Sequence, residues 1–268
     1  VNHNEWVAAL RGRADLAPVI ARLPLWWGDS IIGSVEKAFF DAVLPAGAIG
    51  DNGWVQPVAR DGDEGWLVNG ELTATLAQIA LALRDAGAAH TWRDEQLAVT
   101  DASGRVLGTV ERAVVRQLGI ASFAVHLAAT SADGRHWVQQ RSLTKPNDPG
   151  LWDTLMGGMV PAGDTLQQAL ERETWEEAGL KLDQLEGLAY GGRIATRRPC
   201  ADGRAGYIVE QIDWYRCTLA GAVVPSNRDG EVEQFAQMTK DELRGRLEQG
   251  EFTTEAALIL VAAGLTEG

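Results

Sequence analysis

The chain has 268 residues, 46% apolar and 23% charged, with a net charge of −13 at pH 7 and a pI near 4.8. Length and composition describe a globular chain with room for one large domain or two ordinary ones. The acidic balance argues against nucleic acid and anionic membrane as partners, because both call for basic surface. The two cysteines, Cys200 and Cys217, belong to no CxxC or Cys/His cluster, which argues against zinc. The first ten residues contain Glu5 and lack the apolar core of a secretion signal, and the apolar run 256–265 is too short to span a bilayer. A cytoplasmic location is the resulting expectation.

In chain order, Asn4 is placed to cap a short helix through Leu10, and residues 16–23 read as a second helix. Residues 30–35 suggest a short strand. Two more strands, 54–58 and 66–68, flank the turn Asp61-Gly62-Asp63. The Ala/Leu-rich stretch 72–86, stopped by Gly87, predicts a helix, and 96–100 with 106–110 predicts a hairpin. Gly119 marks a candidate boundary. Beyond it, 123–129 and 137–140 form a hairpin around Asp133-Gly134, a helix spans 165–178, and strands fall near 188–195 and 207–219. Thr239 with Glu242 forms a capping-box pattern for a helix to about Leu247, and Thr254 opens a last apolar helix. Strands interleaved with a few helices predict an α+β protein with domains 1–118 and 119–268.

The helix over 165–178 carries the chemistry. Thr165 and Gln168 suit a capping box, and Gly179 suits a left-handed C-terminal cap. At 100° per residue the stripe Leu166, Ala169, Leu170 continues into Glu173, Glu176 and Glu177, so an inward face turns from apolar to acidic. Glu173 and Glu177 repel at i,i+4 spacing, and desolvation makes their charge costlier still. A hard dication resolves both problems, and all-oxygen ligands favour magnesium or manganese over zinc. A solvated acidic face at the end of a surface helix is the competing reading.

The segment from Gly158 to Leu180 resembles the Nudix box: Gly, five residues, Glu, seven residues, then Arg-Glu-U-x-Glu-Glu-x-Gly-U, with U aliphatic. Gly158, Arg172, Glu173, Glu176, Glu177, Gly179 and Leu180 stand in register, seven of nine fixed positions. Asp164 replaces the first Glu, and Thr174 replaces an aliphatic residue. The resemblance implies a Nudix α/β/α sandwich with an additional smaller N-terminal α+β domain. It implies Glu173, Glu176 and Glu177 as metal ligands, with a backbone carbonyl at Gly157-Gly158. Glu173 or a glutamate from a later loop, of which Glu231 is the candidate, would act as general base, and Arg172 would orient a carboxylate. The implied chemistry is Mg²⁺-dependent cleavage of a diphosphate linkage in a small molecule, with Mn²⁺ as the alternative ion. Flanking segments are similar to a Nudix subfamily linked to fungal thiamine pyrophosphokinase: Arg141 to Pro146, Pro149 to Asp153, Asp229 to Glu233, Trp92-Arg93-Asp94-Glu95 and Glu111-Arg112. That likeness implies thiamine diphosphate or damaged analogues as substrates.

Arg141 and Lys145, between a strand and the box, are candidates for gripping substrate phosphate. Glu231 and Glu233 alternate, so both are expected on one strand face, and Glu210 is a weaker rival as base. Trp175, opposite the carboxylates, is expected in the core, as are Trp92, Trp152 and Trp214, and His126 reads as a structural histidine. The N-terminal segment would shape the pocket or form a homodimer contact. Isopentenyl-diphosphate isomerase shares the fold but needs a cysteine ahead of the box, where Trp152 to Met156 offers none. A non-catalytic binding module is opposed by the intact glutamate set, and an RNA-cap hydrolase by the net charge.

Overall fold

A computed structural model describes residues 3–60, 62–200 and 206–264. Asp61 of the expected turn and Leu265 at the end of the apolar run lie outside the described residues. The chain runs through α1 (His3–Ala14), β1 (Arg22–Trp27), β2 (Ser30–Glu36), α2 (Phe39–Val43), β3 (Val55–Arg60), β4 (Asp63–Val68), α3 (Leu72–Asp85), β5 (Gln96–Thr100) and β6 (Val106–Glu111). There follow β7 (Ser122–Ser131), β8 (His136–Arg141), β9 (Trp152–Asp153), β10 (Met156–Met159), α4 (Leu166–Ala178), β11 (Leu185–Pro199), β12 (Tyr207–Leu219), β13 (Val232–Met238), α5 (Lys240–Glu248) and α6 (Thr254–Ala262).

The helices begin where side chains satisfy their free N–H groups. Capping boxes close on Thr165/Gln168 and Thr239/Glu242, and Thr253 caps α6. Gly179 ends α4 at φ 66°, a left-handed conformation that glycine adopts without penalty. The expected helix over 16–23 is absent. Pro18 disfavours a helical Ala17, Leu16 N donates to Arg197 O at 2.8 Å, and 22–27 forms β1 between β2 and β4.

Three sheets result. β2-β1-β4-β3 is mixed, with β1 and β4 parallel, and β5 pairs β6. Their core gathers Leu25, Val35, Phe40, Leu72, Leu76, Ile79, Leu83, Leu97, Val110 and Leu118. Each fully buried leucine there contributes roughly 1.5–3 kcal/mol relative to exposure. The third sheet orders β11-β12-β7-β8-β13. Along β7, Val125, Leu127 and Ala129 point into a core with α4, whereas Ala124 and Ala128 join Ile212, Trp214 and Ile259 of α6 on the other face. This is the α/β/α sandwich, with α4 on one side and α6 on the other. α1 belongs with the second layer: Trp6 and Leu10 share a core with Val138, Trp152, Leu243, Leu247, Phe252 and Leu260.

β7 and β8 pair only beside their turn, at Ala129↔Trp137 and Thr130↔His136. Beyond that point they diverge, β9 takes up β8 and β10 takes up β7. The split positions the site. Ala162 N, in the loop ahead of α4, donates to Gln96 O at 2.8 Å, and Tyr207 N donates to Arg116 O at 2.8 Å, tying both sets of sheets together. Among the described residues no helix is long and apolar enough to cross a membrane.

Candidate active site

β10 lays Gly157 and Gly158 opposite His126 and Val125 of β7. The backbone then passes directly beneath α4. A side chain at Gly158 would collide with the Glu173 carboxylate, and one at Gly157 would collide with the His126 ring. Glycine is therefore required for the close approach of backbone to carboxylate.

Glu173, Glu176 and Glu177 line one wall of a cavity of about 350 Å³. Glu177 is 2% exposed. Its carboxylate accepts hydrogen bonds from Gln139 Nε2 at 2.8 Å, Gly157 N at 3.0 Å and Lys145 Nζ at 3.4 Å. Arg172 Nη1 donates to Glu173 at 2.8 Å and Glu176 at 3.2 Å, and Nη2 donates to Met159 O at 3.3 Å. Asp164 takes Arg172 Nε at 3.2 Å, so the shorter acid at this position of the box still secures the guanidinium. Thr174, in place of an aliphatic residue, is fully buried, and its hydroxyl has no hydrogen-bond partner among the described residues.

Burial pushes the Glu173 carboxyl up to about 7, the charge of Glu177 adds to that shift, and Arg172 opposes it. Burial likewise raises Glu177, against the pull of Lys145, Gly157 N–H and Gln139. Two carboxylates one helical turn apart thus carry poorly compensated charge, and the surrounding donors are hard oxygens. That chemistry fits magnesium or manganese. Among the described residues, no three acidic, histidine or cysteine side chains are already gathered around one metal position. Arg172 and Lys145 instead hold the carboxylates, and they would have to share them with an ion.

The facing rim is cationic. Arg141 Nη1 lies 3.5 Å from Asp153, and its Nη2 donates to Asn147 O at 3.1 Å. Lys145 Nζ sits 2.7 Å from Glu231 and 3.4 Å from Glu177, bridging the helix to the loop ahead of β13. Ser142 N donates to Glu231 O at 2.9 Å and pins that loop. Burial works against charge on Glu231, but Lys145, helped by Arg93 and Arg112, holds its carboxyl below the usual range. Every expected site residue (Arg141, Lys145, Gly158, Arg172, Glu173, Glu176, Glu177 and Glu231) lines this one cavity.

Two expectations fail. Glu233 does not share the inward face with Glu231, because β13 slips register between Val232 and Gln234 and leaves Glu233 exposed. Trp175 is not in the core: it is 40% exposed, with the Arg228 guanidinium 4.0 Å from its ring centroid. Trp152 and Trp214 are buried as expected. His126 is a bonded interior histidine, with Nδ1 2.9 Å from Thr154 Oγ1, and burial lowers its pKa despite Asp153 and Glu255.

Several lining residues carried no assignment from sequence. Asp153 lines the cavity beneath Arg141, and Gln139, buried behind the lining, donates to Glu177. Glu210, named from sequence as a weaker rival base, also lines the cavity, and burial together with the charge of Glu255 raises its pKa. Arg198 donates to Glu255 at 2.9 Å. Arg93, Glu95, Arg112 and Arg116 enter from the segment before Gly119. The pairs Trp92 to Glu95 and Glu111-Arg112 were the available signal for that entry.

The site agrees with comparisons to known proteins. The chain is 27% identical over 186 residues to an uncharacterized protein of Saccharomyces cerevisiae, covering 63% of this chain and 54% of that one. It is 30% identical over 175 residues to Nudix hydrolase 20, chloroplastic, of Arabidopsis thaliana, covering 61% and 44%. The chain thus spans about half the length of the curated relatives it matches. A crystal structure of DR0079 from Deinococcus radiodurans superimposes with a TM-score of 0.51 at 20% identity, over 63% of this chain and 98% of that one, a likeness of fold. The NUDIX domain matches residues 122–258, half of the chain and the whole of the carboxylate site's helix and sheet, and the chain belongs to that family.

Proposed function

We propose that the protein is a Mg²⁺-dependent pyrophosphohydrolase, with Mn²⁺ able to substitute, that cleaves the diphosphate linkage of a small molecule. The observation that carries this reading is the pair Glu173 and Glu177, buried one turn apart and facing a cavity whose opposite rim is cationic. Glu173, Glu176 and Glu177, with a backbone carbonyl at Gly158, would hold the ion. Bound there, it would neutralise charge on the diphosphate and acidify an attacking water. Arg172 keeps Glu173 and Glu176 aimed along one side of α4. Arg141 and Lys145 would grip phosphate oxygens. Glu231, held ionised by Lys145, is available to take the water's proton, and Glu173 is the alternative base.

Thiamine diphosphate and its damaged relatives, cut to monophosphates, are the proposed substrates, supported by the flanking segments around Arg141 to Asp153 and Asp229 to Glu233. Residues 119–268 would form the hydrolase domain and 1–118 an accessory unit. The isomerase alternative lacks its thiol: among the described residues neither Cys200 nor Cys217 lines the cavity. The test is a panel of diphosphates, thiamine types included, assayed with Mg²⁺. The expected products carry a single phosphate and appear with release of the second phosphorylated fragment. Turnover of none of them, or isomerised isopentenyl diphosphate without phosphate release, would overturn the assignment.

A further inference from the structure

We propose that the segment before Gly119 completes the substrate site, with Arg93, Arg112 and Arg116 forming an anion-binding wall that grips a substrate phosphate lying beyond the carboxylate helix. The inference rests on reading the cavity as a diphosphate site, and it names what the accessory unit contributes. All three arginines line the same cavity as Glu173 and Glu177, and all three also line an adjoining cavity of about 300 Å³ beside Asn147. Three arginines lining the same cavities in a chain of net charge −13 run against its composition. They hold the planar fork that matches phosphate oxygens.

The wall is braced. Glu111 is 2% exposed, and its carboxylate accepts from Arg93 N at 3.2 Å and Ala113 N at 3.3 Å. Arg112 Nη1 meets Glu95 Oε2 at 2.7 Å, and Arg112 N donates to Glu95 O at 2.8 Å. The two short motifs singled out in the sequence therefore fold onto one another and fix the arginines' backbone. Arg116 Nη1 donates to Asn147 Oδ1 at 3.1 Å, which couples the wall to the loop carrying Lys145. The Arg93 guanidinium makes no ion pair among the described residues, and it is exposed at the mouth. Its field already helps hold Glu231 ionised across the cavity. A bound phosphate would satisfy Arg93 and draw Arg112 partly from Glu95. The ligand class is an organic diphosphate: one phosphate at the carboxylate wall, the other held by guanidiniums without metal.

The test uses the full chain in EDTA with inorganic pyrophosphate as probe, followed by titration calorimetry at moderate salt. Wild-type protein should bind it, Arg93→Ala/Arg112→Ala should weaken binding at least tenfold, and Arg135→Ala, at an exposed side chain outside both cavities, should leave it unchanged. Unchanged affinity in the double variant, or no pyrophosphate binding by wild type, overturns the wall. Should the double variant fail to fold, Arg93→Glu alone, at an exposed side chain that makes no ion pair or hydrogen bond among the described residues, serves the same comparison. Failure of the hydrolase reading looks different: arginine-dependent pyrophosphate binding would persist while no diphosphate is cleaved with Mg²⁺. Conversely, cleavage with an unchanged KM in the double variant would sink the wall and leave the hydrolase standing.

Discussion

Replacing Glu173 with glutamine should make the metal-free protein more stable at alkaline pH while removing its response to magnesium. The Glu173 carboxyl is raised from 4.5 to about 7 by burial and by Glu177. A folded carboxyl that holds its proton more tightly than the unfolded one stabilises the fold fully below the unfolded value of 4.5, and loses that contribution as pH climbs through 7. At about 1.4 kcal/mol per pH unit, the whole shift corresponds to roughly 3 kcal/mol, of which about 2–3 kcal/mol disappears between pH 5 and pH 8. Glutamine carries no such term. It keeps the side-chain shape and can still accept from Arg172 Nη1, at the expense of the charge on that 2.8 Å bond, about 1 kcal/mol.

Urea unfolding in EDTA at both pH values is the assay. The Glu210 carboxyl is raised as well, by burial and Glu255, but equally in both proteins, so the difference between them isolates Glu173. The variant should gain roughly 2 kcal/mol on wild type between pH 5 and pH 8. Millimolar Mg²⁺ should then raise the wild-type midpoint and leave the variant's in place, because an ion that binds only the native state stabilises by mass action. Equal pH dependence in the two proteins, or equal stabilisation by Mg²⁺, would refute the idea that the Glu173 charge, only partly offset by Arg172, awaits a dication.

Three further outcomes are expected. Glu177→Gln keeps its acceptor for Gln139 and Gly157 N–H, so circular dichroism should be unchanged while diphosphate turnover falls a hundredfold or more, about 2.7 kcal/mol of barrier; an unchanged rate would take α4 out of the mechanism. Gly158→Ala forces the Glu173 carboxylate aside, so Mn²⁺ affinity followed by electron paramagnetic resonance should drop more than tenfold, and retained affinity would show that this approach is not needed. Thr174→Val removes a buried hydroxyl without a partner and preserves the shape of the side chain, so chemical denaturation should show a gain of about 1 kcal/mol; a loss would mean that the hydroxyl has an unseen role.

The parts of the fold legible in the sequence are those whose signals are local. The Thr165/Gln168 box, the Gly179 stop, the Thr239/Glu242 box and the hairpin turns each declare themselves within a few residues, and each element stands where its signals put it. The segment 16–27 fails for the opposite reason. Its backbone is satisfied by residues far along the chain: Leu16 by Arg197, and β1 by a parallel partner forty positions away. Periodicity in 16–23 could not reveal either partner, and Pro18 was the local warning against a helix. The split of β7 from β8, which admits β10, is likewise a property of the sheet. The glycine pair at 157–158 hints at it only through its lack of side chains.

The site divides along the same line. Glu173, Glu176 and Glu177 were legible because one helix fixes their spacing, and spacing on a helix is geometry. Periodicity names a face without saying what covers it, which is why Trp175 came out under Arg228 instead of in the core, and why a bulge could turn Glu233 away from Glu231. The arginines before Gly119 lay further out of reach: Arg93 and Arg112 sit in charged clusters that look like solvated surface until β5 and β6 pair and lay Glu111 beneath Arg93. On the proposed reading, an acidic chain that takes a diphosphate has to concentrate cations at one place. Once the sheets dock, the end of β8 and its following loop bring Arg141 and Lys145, and the segments flanking the β5–β6 hairpin bring Arg93, Arg112 and Arg116, to a single cavity facing the carboxylate helix. If the proposed substrate is right, neither wall alone accounts for it: the carboxylates need a cation to meet a diphosphate, and the arginines without the carboxylates would bind it and leave it whole.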